Sequence, residues 1–391
     1  MTISEMPERP TATIDDDDSA TVFEICRRVA DRPGDTRALV IEEVGRLAPL
    51  RTTTDQERLA DSALARLSGL GELDVYLRDP HVDEVMVNAG RSIWIERHGA
   101  LHHVGALESD SVDHLIERVL APLGRRVDRS SPIVDARLPS GARVCVVLPP
   151  VAVDGACLAI RRFAPRVRPL DSFVDAAGTT LLGAVIDQRC NVVVSGATSS
   201  GKTSLVAALL ARVAPTERLI VVEDTTELPI EHGHVVRLEA RPALADGPTQ
   251  IAVADLVRTA LRLRPDRIVV GEVRGDEVLA LVQAMNTGHD GSLSTCHANG
   301  PLDALLRLET LVLQASPAWP LAAIRHQLAR SIDVVIHVDR SPGEPGRHVS
   351  AVCEVVAPDA DSTMPPTLRT LGERRTDGSF VTFAPPSRGR T

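Results

Sequence analysis

Residues 196–204 read "GATSSGKTS", and Lys202 within them is the only lysine among the 43 basic residues of a 391-residue chain. Arginine serves everywhere else, so this position has a chemical reason to differ. A loop that wraps a phosphate chain needs a compact ammonium on a flexible stem rather than a wide planar fork. Gly196, four residues, then Gly201-Lys202-Thr203 reproduces the phosphate-loop spacing G-x-x-x-x-G-K-[ST]. The flanks agree, since "NVVVSG" reads as a short buried strand and "KTSLVAALLARVA" as the helix that follows. Gly196, Ala197, Thr198, Ser199, Ser200, Gly201, Lys202, Thr203 and Ser204 are therefore expected to hold ATP. Backbone N–H groups and the helix N-terminus face the phosphates. Lys202 is expected to reach the β- and γ-phosphates, and the Thr203 hydroxyl to ligate Mg²⁺.

Outward from this loop the second half of the chain alternates strand and helix. "RLIVVED", "DRIVVGE" and "SLSTCHA" read as strands, and "ADLVRTALRLR" and "DEVLALVQAM" as helices. Short apolar strands between helices predict a mostly parallel sheet covered on both faces, an α/β fold. ATP hydrolysis needs acids near the metal and the attacking water. The strand "RIVVGE" delivers Glu272, and "LIVVEDTTE" delivers Glu223 and Asp224 with Glu227 close by. Carboxyl ends of parallel strands are where ligands bind. Glu223 and Glu272 are the expected catalytic acids, with Asp224 and Glu272 joining Thr203 at Mg²⁺.

Arg262 and Arg264 flank the entry to the Glu272 strand, Arg274 follows it, and Arg258 shares a helical face with Arg262. Arg262 and Arg274 are the candidates for neutralising γ-phosphate charge in the transition state. In "GHDGSLSTCHANG", strand alternation sends Cys296 and His297 to opposite faces, and no fourth ligand has zinc-site spacing. His289 and His297 are read instead as a polar sensor loop beside the nucleotide.

The bulk numbers bound the rest. Net charge is −10 and aromatics are 2%, which disfavours a nucleic-acid partner. The six cysteines are scattered without a C-x-x-C pair, which reads as reduced thiols in a cytoplasmic protein. No apolar run reaches the ~18 residues of a membrane-spanning helix. Residues 1–20 read as a disordered acidic tail and 21–71 as a helical extension; 72–163 read as a smaller α+β domain with a hairpin turning at Ser140-Gly141. Residues 164–170 are read as a linker, 171–357 as the ATPase domain and 358–391 as a flexible, proline-rich tail. Arg137, Arg143, Arg161 and Arg162 cluster just before the linker. Arg161 and Arg162 are expected to close over a nucleotide held by the ATPase domain once a ring assembles.

"GATSSGKTS", "VVEDTTEL", "LRLRPDRIVVGEVRG" and "AMNTGHDGSLSTCHAN" resemble the Walker A, Asp box, Walker B and His box of the secretion ATPases. Within that superfamily of type II and type IV secretion and pilus-assembly motors, the chain is most similar to the tight-adherence pilus branch called TadA or CpaF. "LRDPHVDEVMVNAGRSIWIERHGAL" and "DARLPSGARVCVVLPPVAVDGACLAIRRF" resemble that branch's N-terminal domain. The resemblance implies a RecA-like ATPase domain in a homohexameric ring. It also implies a peripheral position on the cytoplasmic face of the inner membrane and a polytopic platform protein as partner. Assembly of small pilins is the implied work, a conjugation or effector-export traffic ATPase is the alternative, and a nucleotide-gated scaffold is a second. Ser199 stands where many members have glycine, and serine tolerates the loop less freely.

Overall fold

The computed structural model describes residues 16–29, 32, 35–68, 70–97, 100–107, 112–138, 140–162, 167–241, 249–340, 346–357 and 364–387. The chain divides into two compact units, residues 1–163 and 164–391.

The first unit opens with three helices: α1 (Asp16–Val29), α2 (Thr36–Leu47) and α3 (Thr53–Ser68). Apolar side chains at helical spacing meet in a small core that includes Val22, Ile25, Val40, Val44, Leu59 and Ala63. Helix α1 takes in residues 16–20, which composition had assigned to a disordered tail. Asp18 explains the difference, because its carboxylate is 4% exposed and accepts from Arg51 and Arg58. The acidic run is thus partly an anchor. Residues 1–15 lie outside the described residues.

After α4 (Asp74–Arg78) come β1 (Val82–Asn88), β2 (Ser92–Arg97), β3 (Ala100–Ala106), α5 (Val112–Leu120), β4 (Ile133–Arg137), β5 (Arg143–Val147) and β6 (Cys157–Arg161). The strands form one antiparallel sheet in the order β3-β2-β1-β6-β5-β4. Alternate residues of β1, β2, β5 and β6 point into a core that α5 covers through Leu115, Ile116, Val119 and Leu120. The hairpin from β4 to β5 turns at Gly141, whose φ of +88° suits glycine.

The second unit contains α6 (Ala176–Asp187), β7 (Val192–Gly196), α7 (Lys202–Leu210), β8 (Leu219–Glu223), β9 (Val235–Glu239), α8 (Val253–Ala260) and β10 (Arg267–Val270). It continues with α9 (Glu277–Asn286), β11 (Leu293–His297), α10 (Pro301–Ala315), α11 (Leu321–Ser331), β12 (Val334–Arg340), β13 (Arg347–Val356), β14 (Thr367–Arg374) and β15 (Phe380–Thr382). Nine strands make one sheet, β15-β14-β13-β12-β7-β11-β10-β8-β9. From β12 to β9 all neighbours run parallel, and β7, β8 and β10 are buried along their whole lengths. Helices on both faces leave these strands no wet side, so they are continuous Val/Ile/Leu runs. One core joins α6 and α7 to the sheet, and another joins α8, α9, α10 and α11 to it.

Strands β13, β14 and β15 extend the sheet antiparallel to β12. Two of them lie in residues expected to be a flexible tail, and burial explains why they are ordered. Leu371 is 0% exposed and Phe380 5%, both packed in the core that holds α6. The Phe380 N–H also donates to Asp175, the N-cap of α6, at 3.0 Å. Of the expected linker, residues 164–166 fall outside the described residues, and Leu170 begins a short 3₁₀ turn. No helix among the described residues is long and apolar enough to cross a membrane.

Candidate active site

Because β7, β8, β10 and β11 run parallel, the residues that end them share one edge of the sheet. At that edge Gly196 closes β7 and pairs in register with His297, the last residue of β11. The loop then turns into α7, whose N-cap Gly201 has φ +101°. A Cβ on Gly196 would lie 2.4 Å from Ser200 Oγ, so the loop closes tightly only around glycine. Ala197 and Thr198 are exposed, and Thr203 and Ser204 half-buried in the first turn of α7. Ser199 holds φ +59°, a left-handed conformation that costs a non-glycine residue roughly 1–2 kcal/mol. Such strain is a feature of ligand-binding turns.

Lys202 is 7% exposed. Its ammonium donates to Gly196 O at 3.0 Å and Ala197 O at 2.8 Å, and lies 3.4 Å from His297 Nδ1. The other ring nitrogen of His297 is 2.9 Å from Glu272 Oε1. One imidazole therefore joins the loop's cation to the strand-end acid. Burial, with the Lys202 charge second, holds the His297 pKa below the ordinary histidine value, although Glu272 opposes this. The ring is consequently neutral at neutral pH. Arg274 donates to Glu272 Oε2 at 2.5 Å, and that bond raises its own pKa further.

Glu223 ends β8 at the same edge and is 4% exposed. Its Oε1 accepts from the N–H groups of Glu227 and Leu228 at 2.9 and 3.0 Å. Burial outweighs these bonds and pushes its pKa up, the direction a general base near neutrality requires. Gly271 makes room for it, since a Cβ there would lie 2.9 Å from Glu223 Cγ. Asp224 is exposed beside it, and the following loop is tied down by Thr226, which donates to Glu239 at 2.6 Å.

Of the buried oxygens here, Ser200 Oγ makes no hydrogen bond, and Glu272 Oε1, although 2.9 Å from His297 Nε2, makes none of good alignment. Hard carboxylate and hydroxyl oxygens of this kind fit Mg²⁺ with a polyphosphate. Thr203, Asp224 and Glu272 are the oxygen donors that could hold the ion. Cys296, next to His297, is fully buried with its thiol pushed up to about 11 by burial, so it stays protonated.

The structure separates several residues that sequence spacing had grouped. Arg262 lies between α8 and the start of β10, exposed at the opposite edge of the sheet from Lys202. The correction is topological: residues that precede a parallel strand sit at its amino end. His289 precedes β11 in the same way, with Nδ1 at 3.3 Å from Ala284 O, and does not share an edge with His297. Arg258 pairs with Asp255 at 3.0 Å. In the first unit, Arg162 is committed to the carbonyls of Asp79 and Val82. Arg161 is exposed at the end of β6, opposite Glu84 and Arg143.

Three side chains escaped the sequence reading. Glu277 accepts from the N–H groups of Arg274 and Gly275 and fixes the turn that carries Arg274; an acid opening a helix was its signal. His337 of β12 holds Ser195 Oγ at 2.9 Å from Nδ1, bracing the strand beneath the loop. Arg347 packs its stem over Gly201, where a Cβ would lie 2.6 Å from its Cδ.

Residues 67–348 match the family model described as type II/IV secretion system protein. The conjugal transfer protein TrbB of Rhizobium radiobacter is 36% identical over 295 residues, covering 73% of this chain and 87% of its own. The type IV secretion system protein PtlH of Bordetella pertussis (strain Tohama I) is 30% identical over 311 residues, covering 71% and 91%. A crystal structure of the pilus retraction motor PilT with bound ADP aligns with TM-score 0.55 at 21% identity, over 75% of this chain and 83% of that one. At that identity the likeness is one of fold.

Proposed function

The chain belongs to the type II/IV secretion system protein family, and on that premise we propose that it is an ATP-hydrolysing motor of a type IV secretion or conjugal-transfer machine. The observation that carries this reading is the contact chain from Lys202 through His297 to Glu272. It gathers the phosphate cation and a strand-end acid around one point, and Glu223 shares that edge. Lys202 and the loop N–H groups bind and orient the phosphates. Glu223 accepts a proton from the attacking water, and Glu272 with Arg274 holds charge beside the terminal phosphate. Mg²⁺, when bound through Thr203, Asp224 and Glu272, supplies positive charge to the phosphate oxygens.

The names of the relatives favour transfer over the tight-adherence pilus that the motifs alone suggested. The working form is a homohexamer on the cytoplasmic face of the inner membrane, docked on a polytopic membrane protein. Arg161 is the first-unit arginine left to complete a neighbour's site, because Arg162 is spoken for by backbone carbonyls. The deciding experiment measures phosphate release by the purified full chain, wild type and Lys202→Ala, and scores the same allele in its host for transfer and for surface pili. A wild type that hydrolyses no ATP refutes the motor. Loss of pili with transfer intact returns the reading to pilus assembly.

A further inference from the structure

At one end of the first unit's sheet, two valines stand in water on a loop that has no freedom to bury them. The loop 148–156 joins β5 to β6, and Val151 and Val153 are 53% and 87% exposed beside the exposed Pro149 and Pro150. Its backbone is fixed. Ala152 N donates to Leu148 O at 3.0 Å, Gly155 N to Ala152 O at 3.3 Å, and Gly90 N to Ala156 O at 2.7 Å. Gly155 has φ +122°, and a Cβ there would lie 3.0 Å from the Ala89 carbonyl, so the loop is seated against the β1–β2 turn. The segment 124–132 enters β4 at the same end, since Leu148 N donates to Pro132 O at 2.8 Å. Ile133, the residue it leads into, is 54% exposed.

Positive charge dominates around these side chains. Arg91 is exposed in the β1–β2 turn, and the segment 124–132 carries Arg125, Arg126 and Arg129. Other arginines of the unit are tied to the chain, as Arg97 is to Asp79 and Arg162 to the carbonyls of Asp79 and Val82. Among the described residues these four guanidiniums take no acid and no carbonyl. Of the acids beside them, Asp154 is exposed, and Asp128 accepts from the N–H and hydroxyl of Ser130 and the N–H of Ser131. In a chain of net charge −10 this is a local cationic surface with exposed aliphatic side chains. That combination matches an anionic bilayer, where aliphatic side chains enter the acyl boundary and guanidiniums hold headgroup phosphates. A nucleic acid would meet the same arginines but offers the valines nothing apolar. Neither segment carries an aromatic ring on which a base could stack. We propose that this end of the first unit's sheet seats the protein on an anionic lipid surface. The proposal rests on the membrane position proposed above and gives that position its contact residues.

The test is cosedimentation of the full chain with vesicles of phosphatidylcholine, alone or mixed with phosphatidylglycerol. The double variants Val151→Ser with Val153→Ser, and Arg126→Glu with Arg129→Glu, are compared with wild type. All four positions are exposed, so each variant is expected to melt and to turn over ATP in solution as wild type does. Wild type is expected to favour the anionic vesicles by about tenfold or more and to leave them as salt rises. Reversing the arginines is expected to remove that preference, and trimming the valines to weaken anionic binding by about tenfold. Wild-type binding that ignores lipid charge overturns the assignment. So does a valine variant that binds as wild type, which would make this a surface for a soluble polyanion or an acidic protein. Protein that hydrolyses ATP but stays in the supernatant sinks the lipid surface alone. Protein that pellets with these contrasts but never hydrolyses ATP sinks the motor reading and leaves the surface standing.

Discussion

Replacing Lys202 by arginine keeps the charge and changes only its shape, so it isolates what the loop asks of its cation. In the structure three acceptors converge on a single nitrogen: Gly196 O at 3.0 Å, Ala197 O at 2.8 Å and His297 Nδ1 at 3.4 Å. An ammonium can serve them together, because its three protons radiate from one point. A guanidinium spreads its donors over three atoms in a plane, so at least two of these contacts are lost. Hydrogen bonds to charged groups contribute about 1.5–3 kcal/mol each, so two lost bonds cost roughly 3–6 kcal/mol. The phosphates ask the same three-way geometry of the cation, and a like loss in the transition state, at 1.36 kcal/mol per decade of rate, is about 10²-fold or more. Lys202 is 7% exposed, so the larger head must displace its neighbours to fit. The assay is steady-state phosphate release by the full chain at saturating ATP, with thermal melts taken with and without nucleotide. Lys202→Arg is expected to melt about 6 °C or more below wild type without ligand, to lose the ATP-induced rise in Tm and to turn over about a hundredfold slower at a temperature where it is folded. Retention of more than half the wild-type rate would refute the reasoning, since the loop would then be indifferent to the shape of its cation.

Glu272→Gln should still bind ATP and hydrolyse it roughly 10²-fold more slowly, seen as preserved nucleotide-induced stabilisation with little phosphate release. Glu223→Gln should melt higher than wild type at neutral pH, because burial raises the Glu223 pKa and the folded state therefore disfavours its charge. That gain is expected to shrink as pH falls into the ordinary glutamate range, where Glu223 is protonated in both states; a gain that grows on acidification would contradict the sign. Glu217→Ala should destabilise by roughly 3–5 kcal/mol, since it strands Arg267, which is 2% exposed and paired with Glu217 at 2.8 Å. Its kcat at permissive temperature should be near wild type, because the pair sits at the sheet's amino edge. Ser199→Val should cost more than about 1 kcal/mol of stability, a β-branched residue being a true outlier at φ +59°, while Ser199→Gly stays within about 1 kcal/mol of wild type by denaturant titration.

The strand before the phosphate loop and the helix after it were readable because each shows a single period. β7 is one apolar run, and α7 follows a motif that leaves the chain little choice. Glu223, Glu272 and His297 were readable for the same reason, as residues that end apolar runs in a parallel sheet. Arg262 and His289 were misplaced although the same topology contains the answer, since both precede their strands rather than follow them. β14 was hidden because "TLRTLGER" alternates poorly and buries little beyond Leu371 and Gly372, its order coming from pairing with β13 and from packing under α6. Arg347 lies 145 positions after Lys202, and nothing local in the sequence announces that β13 returns over Gly201. Contacts of that kind are set by the antiparallel return of the chain and become visible only in three dimensions.

A chain with 42 arginines and one lysine has a single side-chain amine, and that amine is almost wholly covered by the loop it serves. Amine-directed acylation, which on most proteins scatters over the surface, has here one side-chain target. A change in the yield of that one labelled peptide on adding nucleotide reports on the loop alone, read by mass without any engineered probe. Crosslinkers that depend on lysine will join this protein to nothing through its surface, so maps of its neighbours must rely on carboxylates, cysteines or light.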